Sequence, residues 1–190
     1  GGQDTLIVVG STFGTRPPLA NAPQVFDVDV PARSVTVDDQ NDGTPDGLVT
    51  WVAGGAESLE VWGLEGDDTF NVTPGSIPVF IDGGDPIGTS AGDLINIVAG
   101  GQPVSPETGP ETDEGGFVVG ANGRISYDHI EALGVFSAAK AIILGTDADD
   151  EISVVARTEQ AAPPMFVGAN GVRDFTTSVN DSAEILWIDT

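Results

Sequence analysis

The residues with the most evident chemical potential are aspartates that follow glycine turns and open strands. Gly63-Leu64-Glu65-Gly66-Asp67-Asp68-Thr69-Phe70-Asn71-Val72 reads Gly-x-x-Gly-x-Asp and then alternates, with Phe70 and Val72 on one face and Thr69 and Asn71 on the other. Carboxylates beside turn carbonyls offer the hard oxygen ligands that calcium takes. The same carboxylates can instead accept backbone N–H groups and close the turn; both readings are open. The device recurs at Gly145-Thr146-Asp147-Ala148-Asp149-Asp150-Glu151-Ile152, and in reduced form at Asp4-Thr5-Leu6-Ile7-Val8 and Asp93-Leu94-Ile95-Asn96-Ile97. The candidate metal ligands here are Asp67, Asp68, Asp149 and Asp150, with Asp82, Asp85 and Asp93 as a separate set around one loop.

A second acidic stretch, Asp38-Asp39-Gln40-Asn41-Asp42-Gly43-Thr44-Pro45-Asp46-Gly47, is the densest in the chain. Against the EF-hand loop signature, Asp38, Gln40, Asp42 and Gly43 occupy the first, third, fifth and sixth positions and Asp46 the ninth. Gln40 is an imperfect ligand, no glutamate closes the loop, and strands flank it in place of helices. Asp38, Asp42 and Asp46 are therefore metal candidates, against the simpler reading of a hairpin loop between Val35-Thr36-Val37 and Leu48-Val49-Thr50-Trp51.

Residues Gly63 to Asn71 resemble the nonapeptide of the hemolysin-type (RTX) calcium-binding repeat, Gly-Gly-x-Gly-x-Asp-x-apolar-x. Gly63, Gly66, Asp68 and Phe70 sit at motif positions, and Leu64 replaces the second glycine. In the later copy Gly145, Asp150 and Ile152 match, while Thr146 and Ala148 replace glycines. The resemblance implies calcium held between stacked turns of a parallel β-roll, by glycine carbonyls and the aspartate. In that family consecutive nonapeptides share the site, whereas here each turn stands alone. More loosely, Glu57-Ser58-Leu59, Gly83-Gly84-Asp85-Pro86 and Gly92-Asp93 are similar in layout to the tandem-repeat regions of large bacterial surface and secreted proteins. That likeness implies an extracellular or cell-surface location.

The elements that must position these aspartates read as short strands. Apolar content of 39% and a mean hydropathy near zero argue for a folded framework, and 26 glycines with 13 prolines favour tight turns. Val25-Phe26-Asp27-Val28-Asp29-Val30 alternates strictly, and Ser34-Val35-Thr36-Val37 follows as its hairpin partner. Leu6-Ile7-Val8-Val9 is a continuous apolar run, suited to burial on both faces or to pairing with a neighbour. Asp46-Gly47, Asn122-Gly123 and Asn170-Gly171 each precede a strand and predict tight reversals. Residues 100–116, rich in Gly, Pro and Glu, read as a loop or linker between a first repeat unit over 1–99 and a second over 117–190, with one continuous domain as the alternative. The first and last residues resemble the middle of repeat passages, as in a segment of a longer array or a subunit whose end strands are completed by neighbours. The expected fold is all-β and solenoid-like, a parallel β-helix or β-roll, with an antiparallel β-sandwich as the alternative.

Thirty acidic residues against six basic ones give a net charge of -24, with Lys140 the single lysine. Nucleic acid and anionic membranes are poor partners for such a surface. Without cysteine there are no disulfides or thiolate metal sites, and no window approaches the roughly 18 apolar residues of a membrane span. Catalysis has thin support: His129 is the only histidine, and Asp128 beside it in sequence does not make a triad. No nucleophile elbow, zinc spacing or phosphate loop occurs. Trp51, Trp62, Trp187 and Tyr127 end alternating strands and are expected to pack, not to stack on sugars. The expectation is a non-enzymatic structural or adhesive repeat module, calcium-stabilised, associating with copies of itself or adjacent repeats through Leu6-Val9. The alternative is a calcium-dependent carbohydrate-binding or polysaccharide-cleaving domain.

Overall fold

Alternation of β-branched and aromatic residues with polar ones makes strands throughout the described residues, and no helix occurs among them. The structure, a computed structural model, describes residues 2–10, 23–39, 41–85, 92–111 and 113–138 with their side chains. Beyond them it describes the strand backbones over 140–144, 153–155, 165–169, 172–178 and 184–189. In chain order the strands are β1 (Thr5–Val9), β2 (Val25–Asp29), β3 (Ser34–Asp38), β4 (Gly47–Thr50), β5 (Ser58–Glu65), β6 (Thr69–Thr73), β7 (Val79–Asp85) and β8 (Leu94–Val98). Then come β9 (Pro103–Thr108), β10 (Gly115–Val119), β11 (Ile125–Asp128), β12 (Ala132–Phe136), β13 (Lys140–Leu144), β14 (Ser153–Val155), β15 (Met165–Ala169), β16 (Val172–Ser178) and β17 (Glu184–Asp189).

They form two mixed sheets. The first runs β1-β5-β7-β11-β10-β9-β13-β17 and the second β14-β15-β16-β12-β8-β6-β2-β3-β4. From β5 to β8 the chain alternates between sheets, and each strand lies parallel to an earlier strand of the same sheet: β5 on β1, β7 on β5, β6 on β2, β8 on β6. Hairpins interrupt this order. The β2–β3–β4 meander and the β9–β10–β11 meander are antiparallel, so the fold is neither a wholly parallel roll nor a wholly antiparallel sandwich. The Asx-Gly turns account for the difference: Asn122-Gly123 joins β10 to the antiparallel β11, and Gly47 opens the antiparallel β4. Asn170-Gly171 lies outside the described residues; the strands that flank it, β15 and β16, pair antiparallel.

In-register pairing sorts side chains into rows, because residues two apart along a strand share a face. One inner row of the second sheet runs Phe26, Phe70, Ile95, Leu133. Phe26 and Phe70 stack with centroids 4.9 Å apart and are fully buried, each contributing about 2–3 kcal/mol by area. Facing rows on the first sheet, Leu59–Val79–Ile125 and Val8–Val61–Ile81–Tyr127, join them in one core. On the outer face of the second sheet, Asn96 Nδ2 donates to Asn71 (2.9 Å) and Asn71 Nδ2 donates to Asp27 (2.8 Å), which ties three strands together by side chains.

Two expectations change. The stretch 100–116, read as a loop or linker, holds β9 and the start of β10; Val104 is buried there, and the same core extends from Val8 to Ala138 across the expected boundary. A single well-placed valine in an otherwise polar run is enough to seat a strand whose ladder bonds are supplied by β10 and β13. The run Leu6–Val9 is not buried on both faces: Val8 is inside, whereas Ile7 and Val9 are each 48% exposed.

Candidate functional site

The strand entries of the second sheet are stacked. Gln24, Asp68, Asp93 and Glu131 each stand one residue before a strand of that sheet, β2, β6, β8 and β12 respectively. Each level is bonded to the next twice. Thr69 N–H donates to the Gln24 carbonyl (2.8 Å), Leu94 N–H to that of Asp68 (2.8 Å) and Ala132 N–H to that of Asp93 (2.9 Å). In return, Gln24 N–H donates to Asp68 Oδ1 (2.7 Å), Asp68 N–H to Asp93 Oδ1 (2.6 Å) and Asp93 N–H to Glu131 Oε2 (2.7 Å). A carboxylate is needed at Asp68, Asp93 and Glu131 because the backbone N–H of the neighbouring level would otherwise be buried without an acceptor.

Glycines of the first sheet make room for this column. A Cβ on Gly63 would run into Asp68 Oδ2 and the Gly83 carbonyl, and one on Gly83 into Asp93 Oδ2 and the His129 carbonyl. A Cβ on Gly10 would meet the Gly63 carbonyl and the Gln24 amide oxygen. One unit thus recurs at three levels: a glycine, the side-chain oxygen of the next strand entry, and the carbonyl of the neighbouring first-sheet strand. The loops between glycine and entry differ in length, from the short Gly63–Asp68 turn to the long passage between Gly10 and Gln24.

Asp68 and Asp93 are both 0% exposed, and Oδ2 of each has no hydrogen-bond partner among the described residues. Burial raises the carboxyl of Asp68 to about 6, opposed by the N–H bond from Gln24 and aided by the charge of Asp67. Burial raises Asp93 further, to about 7, against the N–H bond from Asp68 and with the charges of Asp68, Glu131 and Asp67 adding to it.

The other candidate ligands are dispersed. Asp67 is exposed where Asp68 is buried. In the acidic loop, Asp38 accepts from the N–H groups of Gly43 (2.7 Å) and Asp42 (3.2 Å), Asp42 from Thr44 (2.9 Å), and Asp46 from Asp39 (3.1 Å), so these carboxylates close the turn. Asp82, Asp85 and Asp93 do not form one site: Asp82 lies on the outer face of β7, while Asp93 abuts Gly83 on the inner side. Asp149 and Asp150 lie outside the described residues. Asp4 opens β1 at an exposed position, its N–H donating to Glu57, and has no part in the column. Among the described residues, no three acidic or histidine side chains converge closely enough to hold a metal ion.

On the outer face of the first sheet, register sets Val9, Trp62, Asp82 and Asp128 in one row. His129, next to Asp128, has a left-handed backbone (φ 54°), and its Nδ1 lies 2.9 Å from Asp82 Oδ1. That hydrogen bond is the largest cause raising its pKa above the ordinary histidine value; burial opposes it and Asp128 assists. Trp62, Leu64, Asp82, Gly84, Asp85 and His129 line a depression of about 280 Å³. Trp62 is thus an outer-face residue; Trp51 packs against the core and Tyr127 is buried within it, as expected, and the side chain of Trp187 lies outside the described residues. The pairing of His129 with Asp82 crosses from β7 to the end of β11 and leaves no local trace in the sequence. Comparison with known proteins gives no match among family models, curated proteins or solved structures.

Proposed function

We propose that this chain is a non-enzymatic structural or adhesive module of the cell surface or extracellular space, arranged as a solenoid-like stack that joins further copies of itself. The observation that carries this reading is β1. It ends its sheet, with β5 as its one paired neighbour among the described residues, and it turns Ile7 and Val9 outward. An edge strand with free backbone groups and apolar side chains is a template for another strand. Leu48 and Val52, at and just beyond the far edge of the second sheet, are more exposed still. The recurring glycine–carboxylate unit supports the solenoid-like part of the reading, since one level predicts the next.

Calcium would be held at the strand entries. The residues fit in part: Asp68 and Asp93 each keep one buried oxygen without a partner among the described residues, beside glycines whose missing side chains leave carbonyls close by. Calcium takes six to eight oxygens, so backbone carbonyls would complete the set. Bound there, the ion would supply the positive charge that two buried carboxylates lack.

Light scattering across a concentration series tests the association. The chain is expected to form dimers or longer assemblies, and Ile7→Lys with Val9→Lys, both on the outward face, to leave a monomer with an unchanged unfolding midpoint. A wild type that stays monomeric at every concentration, with and without calcium, would end this reading. Unfolding in calcium against chelator tests the ion: saturation at a hundred times Kd is worth about 2.7 kcal/mol, several degrees of midpoint. An unmoved midpoint removes calcium from the account and leaves the association test standing.

A further inference from the structure

We infer that the depression on the outer face of the first sheet binds a guanidinium or ammonium group, carried by a peptide side chain or a small organic cation. The inference is independent of the scaffold reading.

The cavity exists because of one backbone position. Gly84 is in register with Leu64 and has φ 101°, and a Cβ there would run into the Leu64 carbonyl. Its missing side chain leaves a floor between Leu64 and His129. Both of those residues hold left-handed backbones (φ 85° and 54°), a conformation that non-glycine residues adopt rarely. At about 280 Å³ the space suits one side-chain head group and is small for a larger organic ligand.

The lining chooses the charge of the occupant. Trp62 alternates outward between Val61 and Gly63, so its ring stands on the open face of β5. Its Nε1 is covered and has no partner among the described residues. The indole therefore offers its electron-rich face, to which cations are drawn more strongly than to any other side chain's ring. The Asp85 carboxylate makes no hydrogen bond among the described residues; Asp82 meets His129 through Oδ1 and shares its charge with the imidazole when that is protonated, so Asp85 is the carboxylate left to the occupant, with Asp82 Oδ2 as a further acceptor. A planar guanidinium can lie on an indole while its N–H groups reach two carboxylates. The 30 acidic residues against six basic ones steer cations toward the surface and anions away. A bare metal ion is a poorer occupant, because an indole has no ligand atom for it and no three ligating side chains converge among the described residues. A neutral sugar could stack on Trp62 but would gain nothing from the surplus charge.

The test is a titration at fixed ionic strength, followed by the indole N–H resonance of Trp62, assigned by its loss in Trp62→Phe, and by the backbone amide of Gly84. The probes are N-acetylarginine amide, its uncharged isostere N-acetylcitrulline amide, guanidinium chloride, a Gly-Arg-Gly peptide and methyl β-glucoside. The arginine probe is expected to give saturable shifts at millimolar concentration, with the citrulline probe at least tenfold weaker. Asp85→Asn, at an exposed strand end, should weaken arginine binding about tenfold without moving the unfolding midpoint, and Trp62→Phe should weaken it about threefold. A peptide that binds more tightly than free guanidinium assigns the ligand to a protein side chain, and equal affinities assign it to a small cation; either outcome supports the proposal. Equal binding of arginine and citrulline probes, tighter binding of the glucoside, or no saturable shift would overturn it.

Discussion

Asp82 and Asp93 belong to the same small region and differ in everything that matters to their chemistry. Asp93 lies inside, against Gly83, with one oxygen bonded to a backbone N–H and the other unpartnered among the described residues. Asp82 is one residue from Gly83 on the opposite face of β7, beside His129 and open to solvent. The first is pushed to about 7 by burial; the second is the hydrogen-bond partner that raises the pKa of His129. Strand alternation alone makes this division, placing an enclosed carboxylate column on one side of the sheet and an accessible acidic and aromatic surface on the other. A carboxylate here is structural or available for binding according to the parity of its neighbour on the strand.

The largest effect expected is from crowding the glycine–carboxylate column. Gly83→Ala would drive a methyl into the His129 carbonyl and Asp93 Oδ2, and backbone of a neighbouring strand cannot give way as a flexible side chain can. A loss of more than about 3 kcal/mol is expected, read by urea denaturation. Gly100→Ala is the contrast: its φ is 58° but its Cβ would meet nothing within 4 Å, so about 1 kcal/mol of backbone strain is all it should cost. Equal costs would mean that the glycine–carboxylate unit does not organise the stack.

Next in size is the titration of the column. Asp68 and Asp93 are raised in the folded chain, to about 6 and about 7 from an ordinary 3.8, so their contribution to stability is full below pH 3.8 and is lost as pH rises through those folded values. Between pH 4 and pH 8 the two together should withdraw a few kcal/mol, at about 1.4 kcal/mol for each tenfold change in proton affinity and less than additively because they interact. The net charge of -24 changes in the same direction, so the informative quantity is the difference between variants. Without calcium, Asp93→Asn should unfold later than the wild type at pH 8, by about 1–3 kcal/mol, and lose most of its advantage at pH 4. With calcium bound at the column the order at pH 8 should reverse, because the variant forfeits a ligand charge. A pH profile indifferent to Asn at both positions would show that these carboxyls are not held as buried acids.

Much of this was legible from sequence for local reasons. Phe70 and Val72 alternate with Thr69 and Asn71, and the resulting strand has that facing; Val25–Asp29 and Ser34–Asp38 pair as the turn between them requires. Asp68 and Asp93 were readable as special because an acid before an apolar alternation is out of place unless something holds it. Their levels at Gln24 and Glu131 were not readable: Glu131 accepts the next backbone N–H through a longer arm than aspartate, Gln24 enters through its own backbone N–H, and loops of unequal length destroy any fixed period. Nor was β9, since Pro103, Pro106 and the flanking glycines resemble a linker and only β10 and β13 supply its hydrogen bonds. The outer depression depends on register between β5, β7 and β11, which no stretch of sequence encodes by itself.

The smallest expected effect sharpens the outer half of the comparison. His129 keeps its proton above the ordinary histidine range chiefly through the bond to Asp82. Its folded value is raised, so the pair's contribution is present below the unfolded pKa of 6.5 and is lost as pH climbs through the folded one. Both side chains are a third exposed, and water screens such a pair to about 0.5 kcal/mol or less. Asp82→Asn should therefore barely move the unfolding midpoint at pH 5, yet lower the His129 titration followed by its ring carbon–proton resonance. A titration unmoved by Asp82→Asn would assign the charge on His129 to Asp128, whose carboxylate lies 3.8 Å from Nε2, and would detach His129 from the β7 side of the depression.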